Sequence, residues 1–179
     1  MLPSECLTCL SLRFHTGDLG RMHETGWVKV TGRIKEQYKL ENGKYVVPTI
    51  IEEAIGMSRF VSQVVVCGAN YPHNIALIVP EWNAIRVELD GADHLSAEDL
   101  ANDARVQDLI ASEIYDSCYK LKKFEIPTKW AFVAPFTAAN NQMTPKMSIR
   151  RHKVTEAYED LILQLYGDDP VVTQAVRTG

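Results

Sequence analysis

Cysteine is scarce, and nothing in its spacing points to a metal or redox site. The four are Cys6, Cys9, Cys67 and Cys118. The single C-x-x-C lacks a second pair at zinc spacing, so no metal site is expected. Its flanks, "PSECLTCLSL", lack the strand-then-helix setting of a redox pair, and two ordinary thiols in a loose N-terminal segment are expected there. Cys67 falls in an apolar strand and Cys118 in a helical stretch; both are expected to be buried and reduced, as in a reducing compartment. Long apolar runs are also missing. "VVVCGA" and "IALIVP" are far too short to span a bilayer. The first residues lack the basic region of a signal peptide, and Glu5 interrupts their apolar part. Positive charge is not in excess: 19 Lys and Arg stand against 23 Asp and Glu, a formal net charge of −4. That excludes the basic footprint of a general nucleic-acid binder. No G-x-x-x-x-G-K occurs, so no P-loop cradles a triphosphate.

The chain has 179 residues, 46% hydrophobic and 23% charged, which suits a globular domain that needs no staples. "FHTGDLGRMHETGWVKVTGR" reads as a hairpin, because "WVKV" alternates and glycines with polar residues fill the turn. "KEQYKLENGKYVV" reads as a shorter one turning at Asn42-Gly43, a dipeptide suited to a type I′ turn. Pro48 opens a helix, "PTIIEEAIGM". "VSQVVVCGA" and "NIALIVP" are β-branched strands forming a central antiparallel pair. "EWNAIRVEL" begins a helix, and Ser96 with Glu98 and Asp99 signals the start of another. In "DARVQDLIASEIYDSCYKLKKF", Val106, Leu109, Ile110, Ile114, Cys118 and Leu121 keep the helical period up to a stop at Pro127. "KWAFVAPF" reads as a strand and "VTEAYEDLILQLYG" as a last helix. This order predicts an α+β fold, a small mixed or antiparallel sheet with flanking helices.

Three stretches carry chemistry. "HTGDLG" (15–20) sets Asp18 between glycines that allow close approach of a ligand; by spacing alone it is an ordinary turn. "TGRIKEQYKL" (31–40) offers Arg33 and Lys35 between extended segments; Arg can grip a phosphate or diol, yet the plainer reading is solvated charge. "MTPKMSIRRHKV" crowds Lys146, Arg150, Arg151, His152 and Lys153 around a helix start, where the dipole disfavours cations.

In order, "FHTGDLG", "GWVKVTGRIKEQYKLENGKYVVPTIIEEAI", "NYPHNIALIVPEW" and "FTAANNQMTPKMSIRRHKV" resemble the C-terminal third of adenylate-forming, AMP-binding acyl-CoA synthetases, most closely the long-chain fatty acid branch. The resemblance covers roughly residues 14–167. It implies that 1–34 hold a disordered start and the last hairpin of a large AMP-binding domain, and that 35–179 are a mobile C-terminal lid. The implied reaction is ATP-dependent adenylation of a fatty acid, then transfer to coenzyme A, with Mg2+ accompanying ATP. Asp18 and Arg33 would hold the nucleotide, Lys35 would be the hinge, and Gly43 and Lys44 would face coenzyme A. A lysine in the basic loop would close on the acyl carboxylate and α-phosphate. Partners would be fatty acid, ATP and coenzyme A, met through the large domain. The place of action would be the cytoplasm or the surface of an intracellular membrane.

The chain departs from that pattern. The large domain's Ser/Thr/Gly-rich phosphate loop and acyl pocket are absent, so the chain is expected to be inactive alone. "MLPSECLTCLSLR" does not resemble the family. The lysine expected four residues after Thr144 is Ser148, with Lys146 two residues early. In an extended segment these two would face the same side about 6.6 Å apart, so Lys146 is the expected substitute. Arg150 is the rival, and a plainly solvated Lys146 is the third reading. The alternative function is a non-catalytic binding module, or a lid acting with a separately encoded large domain.

Overall fold

The computed structural model of the chain describes residues 16–92 and 94–167. Cys6, Cys9, Phe14 and His15 lie outside them. Strand β1 (Asp18–Met22) pairs antiparallel with β2 (Val28–Arg33). A 3-10 turn, Ile34–Glu36, leads to the small pair β3 (Tyr38–Lys39) and β4 (Tyr45–Val46). Helix α1 (Pro48–Ile55) begins on Pro48, whose missing N–H costs no helical bond. Then come β5 (Val61–Cys67), β6 (Ile75–Pro80), α2 (Trp82–Glu88), α3 (Ala97–Asn102), α4 (Ala104–Ser117), β7 (Lys129–Phe132), α5 (Arg151–Ala157) and α6 (Glu159–Tyr166).

The main sheet runs β5-β6-β7, antiparallel then parallel. Central β6 is buried at every position, and so reads as an unbroken apolar run. Alternation sorts its residues into two cores. Ala76 and Ile78 join Val64, Val66 and Phe132 on one face, with Ile51 and Ile55 of α1 and Val106, Ile110 and Ile114 of α4. Ile75, Leu77 and Val79 join Val65 and Ala131 on the other, with Phe136, Met143, Val154, Ile162 and Leu165. Each such burial stabilises by about 1.5–3 kcal/mol before entropy is counted. The architecture is α+β, as expected. Cys67 and Cys118 are buried free thiols. Among the described residues no helix is long and apolar enough to cross a membrane.

Local signals hold at several helix starts. Ser96 and Asp99 form a reciprocal capping box on α3, and the Asp103 side chain accepts the Arg105 N–H at the start of α4. Four expectations fail. Helix α4 stops at Ser117 although Leu121 keeps the period, because the chain turns through Cys118. Beyond it, Asn74 Nδ2 donates to the carbonyls of Phe124 and Glu125, at 3.0 and 2.9 Å, and holds the turn that follows. Strand β7 covers only 129–132 of the expected run. The last helix is two, broken where Tyr158 leaves helical geometry (φ −113°, ψ 22°) and its ring packs edge-on against Phe136. The Asn42-Gly43 turn is not type I′: of that pair only Gly43 has positive φ, at 84°. The loop has three residues, closed by Leu40 N–H to the Lys44 carbonyl at 2.9 Å and Gly43 N–H to the Leu40 carbonyl at 2.9 Å.

Candidate functional site

The chemistry-bearing residues fall in three places, and α1 touches or borders each. The first is the root of the opening hairpin. Asp18 and Arg33 are cross-strand partners, with Arg33 Nε 3.4 Å from Asp18 Oδ1. They line a cleft of about 290 Å³ with Val30, Gly32, Glu36, Thr49 and Glu53. Gly32 is buried here, and a larger residue would not fit, since a Cβ would lie 2.7 Å from Val47 Cγ1. The Thr49 hydroxyl donates to Glu36 Oε2 at 3.3 Å, tying the 3-10 turn to α1. Lys35 is exposed in that turn. The two residues expected to share a nucleotide are thus brought together, and the expected hinge lysine follows two positions later.

The second place is the β3–β4 hairpin. Lys44 Nζ lies 4.8 Å from the centroid of the Phe124 ring, and Lys122 Nζ lies 5.6 Å from it. Buried Asn74 organises this pairing. Its Oδ1 accepts the Tyr38 hydroxyl at 2.7 Å while its Nδ2 holds Phe124 and Glu125, so β3 is stapled to the α4–β7 connection. Gly68 leaves room for that amide; a Cβ there would lie 2.4 Å from Asn74 Oδ1. Asn74 did not announce itself in the sequence, because its partners lie 36 to 51 residues away.

The third place is the basic loop. It is not extended. Met147 N–H donates to the Thr144 carbonyl at 2.9 Å, and Thr144 N–H to the Ser148 carbonyl at 2.8 Å. Met147 has φ 63°, and Met143 bridges Ile149. This is another three-residue hairpin loop, with Pro145, Lys146 and Met147 at the tip. Lys146 and Ser148 therefore do not lie two steps along one face of a straight strand. Gln63 supports the approach to the loop, donating to the Phe136 carbonyl at 3.1 Å and accepting the Phe136 N–H at 2.7 Å.

The cations of this loop divide sharply. Arg150 donates to Asn141, and Lys153 pairs with Glu156 at 2.7 Å. Arg151 forms a fork with Glu52, Nη1 to Oε1 and Nη2 to Oε2, both at 2.7 Å. Burial works against the Arg151 charge, and the Glu52 carboxylate more than restores it, so the guanidinium stays above its ordinary pKa. At the first position of α5 a cation loses about 0.3–1 kcal/mol to the dipole. A charge-assisted fork is worth more than that, which explains the misplaced charge at Arg151. Among the described residues, Lys146 alone of the Lys and Arg side chains in 144–153 has no partner, and it is exposed.

Residues 35–170 match the AMP-binding enzyme C-terminal domain. The chain belongs to this family. Fatty acyl-CoA synthetase A of Dictyostelium discoideum is 33% identical over 168 residues, which are 87% of this chain and 24% of that protein. Long chain acyl-CoA synthetase 8 of Arabidopsis thaliana is 29% identical over 159 residues, 86% of this chain and 22% of that protein. The adenylation domain of a carboxylate reductase from Mycobacterium chelonae shares the fold at a TM-score of 0.71 and 24% identity, covering 87% of this chain and 23% of its own. The chain spans about a quarter of the length of these curated relatives. The resemblance read from the motifs is therefore correct at the level of the family, and both curated relatives named above are acyl-CoA synthetases.

Proposed function

We propose that residues 35–167 act as the lid of a long-chain fatty acid–CoA ligase, closing over a nucleotide site supplied by a larger AMP-binding portion. The boundary falls at the 3-10 turn around Lys35, with the preceding hairpin belonging to the larger portion. The observation that carries this reading is the isolation of Lys146. Its neighbouring cations are spent on Asn141, Glu52 and Glu156, whereas Lys146 stands free at a turn tip. A carboxylate attacking a phosphate must overcome repulsion between two anions. An ammonium brought between them lowers that repulsion as charge develops, and a turn tip lets it arrive from the lid side. Ser148, at the family's usual lysine position, has no charge to offer. Asp18 and Arg33 would bind the ribose and phosphate region of ATP, and magnesium would arrive on the ATP phosphates. In the second half-reaction the β3–β4 hairpin would face coenzyme A, whose phosphates suit the Lys44 and Lys122 ammonium groups around Phe124.

The test joins this chain to the nucleotide-binding portion of a fatty acyl-CoA synthetase. The joined protein is expected to release pyrophosphate from ATP when a long-chain fatty acid is added, and the chain alone to release none. A folded, ATP-binding joined protein that never responds to fatty acid would overturn the proposal.

A further inference from the structure

Glu52 sits at a junction that the lid reading does not use. Its Oε1 accepts the Val66 N–H at 2.7 Å and Arg151 Nη1 at 2.7 Å, and its Oε2 accepts Arg151 Nη2 at 2.7 Å. Arg151 Nη1 donates in addition to the Val66 carbonyl at 2.9 Å. Four hydrogen bonds thus join α1, the end of β5 and the residue that follows the basic hairpin. The pair is mostly shielded, with side-chain exposures of 25% for Arg151 and 16% for Glu52. Arg151 Nε is buried without a partner, so the guanidinium is held end-on at some cost. The Arg150 N–H donates to the Gln142 carbonyl at 2.8 Å, so the hairpin stem closes one residue before the clamp.

We infer that Glu52 is a positioning residue for Lys146: through Arg151 and Val66 it fixes the root of the 143–149 hairpin to α1. This deepens, and rests on, the reading of Lys146 as the working cation. Without the clamp the stem keeps its own backbone bonds and its anchors at Gln63 and Met143 but loses its tie to α1, so the tip samples a wider volume. The same helix also meets the hinge turn through Thr49 and Glu36. Helix α1 thereby contacts both the root of the lysine-bearing loop and the hinge turn.

Amide hydrogen exchange on this chain tests the clamp, using Glu52→Gln and Arg151→Lys. Glu52→Gln keeps the shape and removes the charge; Arg151→Lys keeps the charge and removes the fork. In both, exchange at Thr144, Met147, Ser148 and Arg150 is expected to speed up by about tenfold, while Leu40 and Gly43 in the other hairpin stay within about twofold. A uniform rise at both hairpins would mean a merely structural role, and no rise at either would remove the clamp; each overturns the inference. The joined enzyme separates this from the lid reading. Slower adenylate formation at unchanged KM for ATP supports the positioning role. A loosened loop with an unchanged rate overturns the positioning role, while the lid reading stands or falls on Lys146→Ala.

Discussion

Two hairpins of this domain share one backbone design and differ in what stands on it. Leu40 to Lys44 and Thr144 to Ser148 close with the same pair of hydrogen bonds, at 2.9 and 2.9 Å in the first and 2.9 and 2.8 Å in the second. In each, a side-chain oxygen accepts the last N–H: Asn42 Oδ1 takes that of Lys44 at 3.1 Å, and Thr144 Oγ1 takes that of Ser148 at 3.2 Å. The first is rooted through Leu40 and Val46 in the core under α1 and α4, the second through Met143 in the core under α5 and α6. At the left-handed position the first has Gly43 and the second Met147. Glycine adopts that geometry freely; a side chain there costs about 1–2 kcal/mol. Met147 is 74% exposed, so packing of its side chain does not offset the strain. The strained hairpin is the one that carries the free lysine and the one clamped by Glu52. Strain held by its surroundings is how functional loops are commonly pre-set.

The comparison can be broken most forcefully at the clamp. Glu52→Ala leaves Arg151 shielded and unpaired, and is expected to cost about 2–3 kcal/mol in urea unfolding. The loss would collapse if Arg151 were also changed to Met, since no orphaned charge would remain. Moving the strain to the other hairpin comes next. Gly43→Met places a side chain at φ 84°, where a Cβ meets nothing closer than Lys39 Cε at 3.6 Å, so only the backbone objects. A loss of about 1 kcal/mol is expected, read as a lower urea midpoint. The reverse change, Met147→Gly, is expected to gain about 0.5–1 kcal/mol, because relief of the left-handed residue is partly offset by glycine's freedom in the unfolded chain. Equal and opposite results at both sites would show that the clamp contributes nothing to Met147.

The smallest effect is a pH dependence at the His73 side chain. Burial, with nearby Lys129, holds the His73 pKa below its ordinary value of 6.5. The unfolded chain therefore takes up that proton first, and stability falls as pH drops from about 6.5 towards the folded value. A shallow decline in Tm between pH 7 and 5 is expected, reduced in His73→Gln. An unchanged decline in that variant would assign it to other groups.

How much of this was readable in the chain follows from distance along it. Pro48, the Ser96–Asp99 capping box and the Val106–Ile110–Ile114 spacing each act within a turn or two, and their elements formed as read. The run "IALIVP" spoke for a strand in a central antiparallel pair, and the structure buries it at every position. What stayed hidden mostly involved partners far apart. Asn74 reaches 50 residues to take the carbonyl of Phe124, in the turn that follows the end of α4. Arg151 finds Glu52 across 99 residues, and only its awkward place at a helix start hinted that it needed a partner. The asparagine-glycine dipeptide permits a two-residue type I′ turn, but Leu40 and Lys44 close the loop one residue wider. The free state of Lys146 could not be seen before its neighbours' partners were known.

The most direct measurement follows both half-reactions in the joined enzyme carrying Lys146→Ala. Fatty acid-dependent pyrophosphate release should fall by at least about tenfold, while coenzyme A thioester formation from supplied acyl-adenylate continues near the parent rate. Undiminished pyrophosphate release would contradict the account, because the hairpin's one unpartnered cation would then have no part in bringing the two anions together.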